Sequence, residues 1–183
     1  MAFLTTWNMT DLPSEMIDIL EEDIKKFDNW QDKSKVMGND EIAPKIRNSK
    51  NAWIPTEHWI GGWIWYYIQK ANRENFLYDL YDIDGGNIQY THYYPGDYYT
   101  WHIDGDISTT FKPKIKPGTG ENLSKDQTFH KGECVRKLSF SLQLSDAKDY
   151  RGGEVEFINS AGERYFAPKQ KGTLIVFDSR TKH

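Results

Sequence analysis

Between Asp11 and Phe27 the apolar residues Ile17, Leu20, Ile24 and Phe27 recur at alternating steps of three and four. That spacing places them on one face of a helix. Pro13 suits its first turn, and Asp11 or Ser14 is placed to cap it. The outer face carries Glu21, Glu22, Asp23, Lys25 and Lys26, a solvated surface. FLTTWNM at 3–9 reads as a short strand before it, and residues 28–55 are polar and irregular. A second helical pattern runs from near Thr56 to about Asn75. Its stripe of Trp59, Trp63, Tyr66 and Tyr67 reads as core packing. Gly61 and Gly62 weaken this helix, and Gly62 leaves room for close approach to a sheet.

From residue 77 the period shortens to two. GGN at 85–87 predicts a turn and NIQYTHY at 87–93 a strand. After a turn at PGD, DYYTWHID at 97–104 predicts a second strand in a hairpin with the first. Residues 105–134 have little periodicity and read as a lid or binding loop, since so long a structureless stretch is uncommon in a compact domain. The strand pattern returns in VRKLSFSLQL at 135–144, then in EVEFIN, RYFAP and GTLIVFD. Short strands with Gly-rich turns and few helices predict an α+β fold, mainly β: a sandwich or barrel with helices packed on one face. We read one domain over 1–183, with 1–76 as helical N-terminal support and 77–183 as the β core.

Composition narrows the picture. A chain of 183 residues suits one domain. Its 7 Trp, 11 Tyr and 9 Phe supply core area, each ring burying about 150–250 Å². The net charge of −4 gives no support to a nucleic-acid partner. The single Cys134 excludes an intrachain disulfide and a thiolate zinc cage. No leader pattern and no apolar run of about 18–20 residues is present. The expectation is a cytoplasmic protein with no membrane attachment.

Candidate chemistry centres on His102 and Asp104. On a strand, residues i and i+2 share a face, roughly 6.5–7 Å apart along the backbone, so both can reach one cation. Trp101 and Ile103 then point into the core. A three-residue pattern of this kind is common by chance, and His183, just past GTLIVFD, supplies the context. Two imidazoles and a carboxylate make a facial triad suited to Fe(II), with open coordination positions. Zinc accepts similar donors. In KLSFSLQL, Leu138, Phe140, Leu142 and Leu144 alternate with Ser139, Ser141 and Gln143. The hydroxyl face reads as solvated, with a ligand cavity as the alternative.

The runs QYTHYYPGDYYTWHID, RKLSFSLQLSDAKDYRGGEVEF and KGTLIVFDSRTKH, with IRNSKNAWI upstream, resemble the prolyl-4-hydroxylase-type branch of the Fe(II)/2-oxoglutarate-dependent dioxygenases. The resemblance spans about residues 45–183. It implies a double-stranded β-helix (jelly-roll) core with the N-terminal helices outside. It implies Fe(II) held by His102, Asp104 and His183, with 2-oxoglutarate and dioxygen as cosubstrates and ascorbate as a candidate auxiliary. Tyr93 and Ser139 match residues of the 2-oxoglutarate pocket. Tyr99 and Trp101 lie beside the metal motif, Tyr99 matching an aromatic near the substrate. GGE at 152–154 matches a tight turn into the next strand.

The implied reaction is hydroxylation of an unactivated C–H bond, on a prolyl or other peptidyl side chain, or on a small molecule. Asp104, unlike a small residue there, leaves no vacancy for chloride and so favours hydroxylation over halogenation. The family places a basic residue for 2-oxoglutarate on a strand beyond the distal His. The sequence ends at His183, so a chain truncated after that His is expected. Arg180 and Lys182 precede it and do not take the role. The alternative is a non-catalytic jelly-roll binding module with a vestigial or zinc-occupied site.

Overall fold

The computed structural model describes residues 6–27, 47–105, 110–111 and 134–183. In chain order these form β1 (Thr6–Met9), α1 (Ser14–Ile24), β2 (Arg47–Asn48), β3 (Lys50–Pro55), α2 (Trp59–Ala71), β4 (Asn87–His92), β5 (Tyr98–Tyr99), β6 (Thr110–Phe111), β7 (Cys134–Val135), β8 (Leu138–Leu142), β9 (Glu156–Ile158), β10 (Arg164–Phe166) and β11 (Leu174–Asp178). The N-terminal portion thus supplies three strands as well as both helices.

The continuous apolar run of β11 is what a strand covered on both faces requires, and Leu174, Ile175, Val176 and Phe177 are all buried. It is the middle strand of an antiparallel sheet ordered β1, β11, β8. Register pairs Leu174 with Leu142, Val176 with Phe140, and Phe177 with Ser139. One face therefore presents Leu138, Phe140, Leu142, Leu174 and Val176. It packs against Ile17 and Leu20 of α1 and Ile64 of α2. Each such side chain contributes roughly 1.5–3 kcal/mol on full burial. On the other face Ile175 and Phe177 pack against Phe157 and Ala167.

Ile17, Leu20 and Ile24 are the buried face of α1, as their spacing predicts. Neither Asp11 nor Ser14 caps it. Pro13 holds the N-cap with no side-chain bond, and its carbonyl accepts from Met16 and Ile17. In α2 the buried stripe is Ile60, Ile64, Ile68 and Ala71, one position round from the tryptophans. Trp59 and Tyr66 are exposed. Trp59 Nε1 donates to Asp23 Oδ2 at 2.6 Å, a partner that an indole finds more easily at the edge of a core. The close approach belongs to Gly61, where a Cβ would overlap the Thr56 carbonyl; Gly62 faces open space. Past Ala71 the helix widens into a π-helical turn, Asn72–Phe76.

The pairing of the second half differs from the expected hairpin. β4 forms a six-residue antiparallel ladder with β3, and β5 pairs with β2. Residues 47–55, read as irregular, occupy the edge that β5 was expected to take. β6 and β7 pair across the base of the expected lid loop. The rest of that loop, with His130 and its lysines, lies outside the described residues. Gly152 and Gly153 take φ of 77° and 68°, the left-handed bend that the GGE motif predicts, and the β9–β10 hairpin follows. No helix among the described residues is long and apolar enough to cross a membrane.

Candidate metal centre

Backbone pairing brings the two halves of the site together. His102 N donates to His183 O at 2.9 Å, and His183 N returns a bond to His102 O at 3.0 Å. Asp104 N and Gly105 N both donate to Ser179 O, at 2.9 and 3.1 Å. Across the other edge of the same segment, Ile158 N donates to Lys182 O at 3.0 Å. Residues 179–183 thus lie between the end of β9 and the His102–Gly105 segment, with an exchange like that of an antiparallel pair.

This corrects two expectations. Regular strand ends at Tyr99, so His102 and Asp104 sit on an irregular segment rather than within a strand over 97–104. Ile103 is 44% exposed instead of core. Trp101 is half-buried beneath the guanidinium of Arg164, 4.9 Å from its ring centre, with Lys182 at 5.9 Å.

The donor atoms of His102, Asp104 and His183 all lie within 4.8 Å of one another. His102 Nδ1 is 2.8 Å from Thr100 O, and His183 Nδ1 is 2.9 Å from Thr181 O. A carbonyl only accepts, so each Nδ1 carries the proton and each Nε2 keeps its lone pair. Those Nε2 atoms face opposite oxygens of one carboxylate, 3.4 Å from Asp104 Oδ1 and 3.8 Å from Asp104 Oδ2. Orientation of ligating imidazoles by carbonyls is the common outer-shell device in metal sites.

Electrostatics agree with that chemistry. Burial opposes ionisation of Asp104, but the adjoining His102 and His183 imidazoles and the bond from Ser139 outweigh it, bringing the carboxyl down to about 2. It is charged at neutral pH. Burial pushes the His183 imidazole down despite the pull of Asp104. The ring packs against Phe177 at 4.6 Å and Phe157 at 5.8 Å between centres. A neutral imidazole in an apolar wall beside an ionised carboxylate is a donor set for a divalent cation.

Ser139 is buried, with its Oγ 2.9 Å from Ser179 Oγ. The hydroxyl face of β8 at this position is therefore interior, against the solvated reading. Tyr99 stacks on His102 with ring centres 3.6 Å apart and planes 19° apart. Burial raises its phenol pKa. Tyr93, just past β4, is 44% exposed, and its field adds to the rise of the Tyr99 phenol.

Two residues escaped sequence reasoning. Arg136 Nη1 donates to Asp104 O at 3.1 Å while its other arm pairs with Asp84. Arg47 is buried with its guanidinium 4.8 Å from the Tyr99 ring centre. The only sequence signal for Arg47 was its place in IRNSKNAWI.

A strand-rich scaffold offering two imidazoles and a carboxylate on one side has the donor set of a facial-triad metal site. The family model described as the 2OG-Fe(II) oxygenase superfamily matches residues 88–183, just over half of the chain. The chain belongs to that superfamily, which implies Fe(II), 2-oxoglutarate and dioxygen. The crystal structure of a Pseudomonas putida prolyl-4-hydroxylase is similar in fold. Its TM-score is 0.64 at 17% identity, covering 98% of this chain and 83% of that one. No curated protein sequence matches the chain.

Proposed function

We propose that the protein hydroxylates an unactivated C–H bond on a prolyl or other peptidyl side chain, using Fe(II) and 2-oxoglutarate. The observation that carries this reading is the convergence of three donors, distant in sequence, within 4.8 Å. His102 Nε2, His183 Nε2 and an Asp104 oxygen hold the iron in this reading. When bound, iron and 2-oxoglutarate supply the oxidising chemistry.

The remaining steps belong to the protein. Thr100 O and Thr181 O hold both imidazoles in the tautomer that binds metal. The Asp104 charge offsets that of the cation. Phe157 and Phe177 keep water from one side of His183. Ser139 and Tyr93 are assigned to 2-oxoglutarate, and Tyr99 and Trp101 to the substrate side. The strands are assigned to a double-stranded β-helix with the two helices outside it. A peptidyl substrate is supported by the fold shared with a prolyl-4-hydroxylase. It is also supported by Tyr94 and Tyr98, both exposed in the segment that leads to His102 in the sequence. Exposed aromatic rings suit an extended, proline-bearing chain.

Anaerobic calorimetry tests the reading. 2-Oxoglutarate should bind only with Fe(II) present, and His102→Ala should abolish that binding. Admission of oxygen with proline-containing peptides should then release succinate. Metal-independent 2-oxoglutarate binding, or tight zinc binding with no succinate release, would overturn it.

A further inference from the structure

Arg47 is 7% exposed, and a buried guanidinium ordinarily requires a carboxylate. Its partners among the described residues are all neutral. Nε donates to Ser49 Oγ at 2.9 Å, and Nη2 donates to Asn51 Oδ1 at 3.2 Å and Thr91 Oγ1 at 3.1 Å. With its amide oxygen turned toward the guanidinium, Gln89 accepts from Nη1 at 3.2 Å. Every nitrogen thereby bonds β3, β4 or the residue between β2 and β3. Four of its five N–H groups are held in this way, and no described carboxylate pairs with the charge.

That fixed cation lies over Tyr99, 4.8 Å from the ring centre, where the negative face of an aromatic ring attracts it. Tyr99 in turn lies nearly parallel to His102, with ring centres 3.6 Å apart. His102 sits on an irregular segment, so strand geometry does not orient its ring. Its Nδ1 bond to Thr100 O fixes one point, and a single bond leaves rotation about its own axis. The stacked Tyr99 ring removes that rotation.

We infer that Arg47 is a positioning residue: its guanidinium sets the plane of Tyr99, and Tyr99 sets the plane in which His102 offers Nε2 to a metal. Tyr99 therefore acts on the metal ligand as well as lying near the substrate. The inference rests on His102 being a ligand, as proposed above.

Cobalt(II) titration of the full chain, followed by visible absorption and calorimetry, tests it alongside the Tm of each metal-free variant. Tyr99→Leu should weaken Co(II) binding about tenfold, within the outer-shell range. Tyr99→Phe, which keeps the ring, should lose about twofold or less. Arg47→Gln should weaken binding several-fold. Combined with Tyr99→Leu it should add nothing, because Arg47 acts through that ring. A purely structural Arg47 would lower Tm and leave Co(II) affinity and its absorption band unchanged. Multiplying losses in the double variant overturn the inference. So does wild-type affinity in Tyr99→Leu, which decides the matter even if Arg47→Gln does not fold. A wild-type chain that takes up no Co(II) overturns the metal reading and this inference together. Normal uptake by the wild type and by all the variants overturns this inference alone.

Discussion

The two faces of the β1–β11–β8 sheet are built from the same alternating strands and serve different ends. On the helix side, Leu138, Phe140, Leu142, Leu174 and Val176 meet the isoleucines and leucines of α1 and α2. On the opposite side Ser139 replaces the aliphatic side chains and bonds Ser179 beside Asp104, while Phe177 walls His183. The difference shows that polar alternation in a strand need not mean solvent. A serine can be interior when a second layer and a charged site cover it.

If the faces divide labour in this way, substitutions should separate stability from chemistry. His102→Ala should have the largest effect, ending succinate release and weakening Co(II) binding by more than about 100-fold, beyond typical outer-shell losses. Its Tm should move little. Leu174→Ala on the helix side should cost about 2–5 kcal/mol by urea unfolding, with Co(II) affinity of the folded protein retained. Equal loss of both properties in either variant would break the comparison. Ser139→Ala should cost about 0.5–1.5 kcal/mol, the value of a lost buried hydrogen bond. It should also weaken metal binding measurably. A neutral result in both assays would leave Ser139 with no part in the centre.

The smallest effect concerns Asp178, at the end of β11. Burial raises its pKa, but Arg180 and the Tyr78 hydroxyl outweigh that and lower it from its ordinary value of 3.8. A carboxyl depressed in the folded state stabilises above its unfolded pKa, and that contribution fades as pH falls through the folded value. The Tm gap between wild type and Asp178→Asn should be open at pH 7 and close as the pH drops below about 4. A constant gap would assign the effect to packing alone.

Legibility followed the range of the interactions. The face of α1 was readable because Ile17, Leu20 and Ile24 are local and regularly spaced. β11 was readable because an unbroken apolar run requires cover on both sides. The stripe of α2 was readable in part: Trp63 and Tyr67 pack against the core, but Trp59 and Tyr66 are exposed, because ring size does not decide burial and an indole N–H seeks a polar partner. β3 was not readable: KNAWIP carries no clean alternation, and its partner β4 lies beyond α2. His102, Asp104 and His183 were readable by resemblance, although not the irregular backbone that carries them. Arg47 was hidden because its meaning depends on Asn51, Thr91 and Tyr99, which only the folded chain brings to it.

The reciprocal amide exchange between His102 and His183 makes an ion at this centre a staple. A cation gripping both rings would clamp segments that otherwise rest on a few main-chain contacts. Deuterium uptake at His102, Asp104 and His183 should then slow together when metal is added, while α1 keeps its own pace. The last stretch of the chain would thus report loading of the centre, its protection rising as the ion is seated.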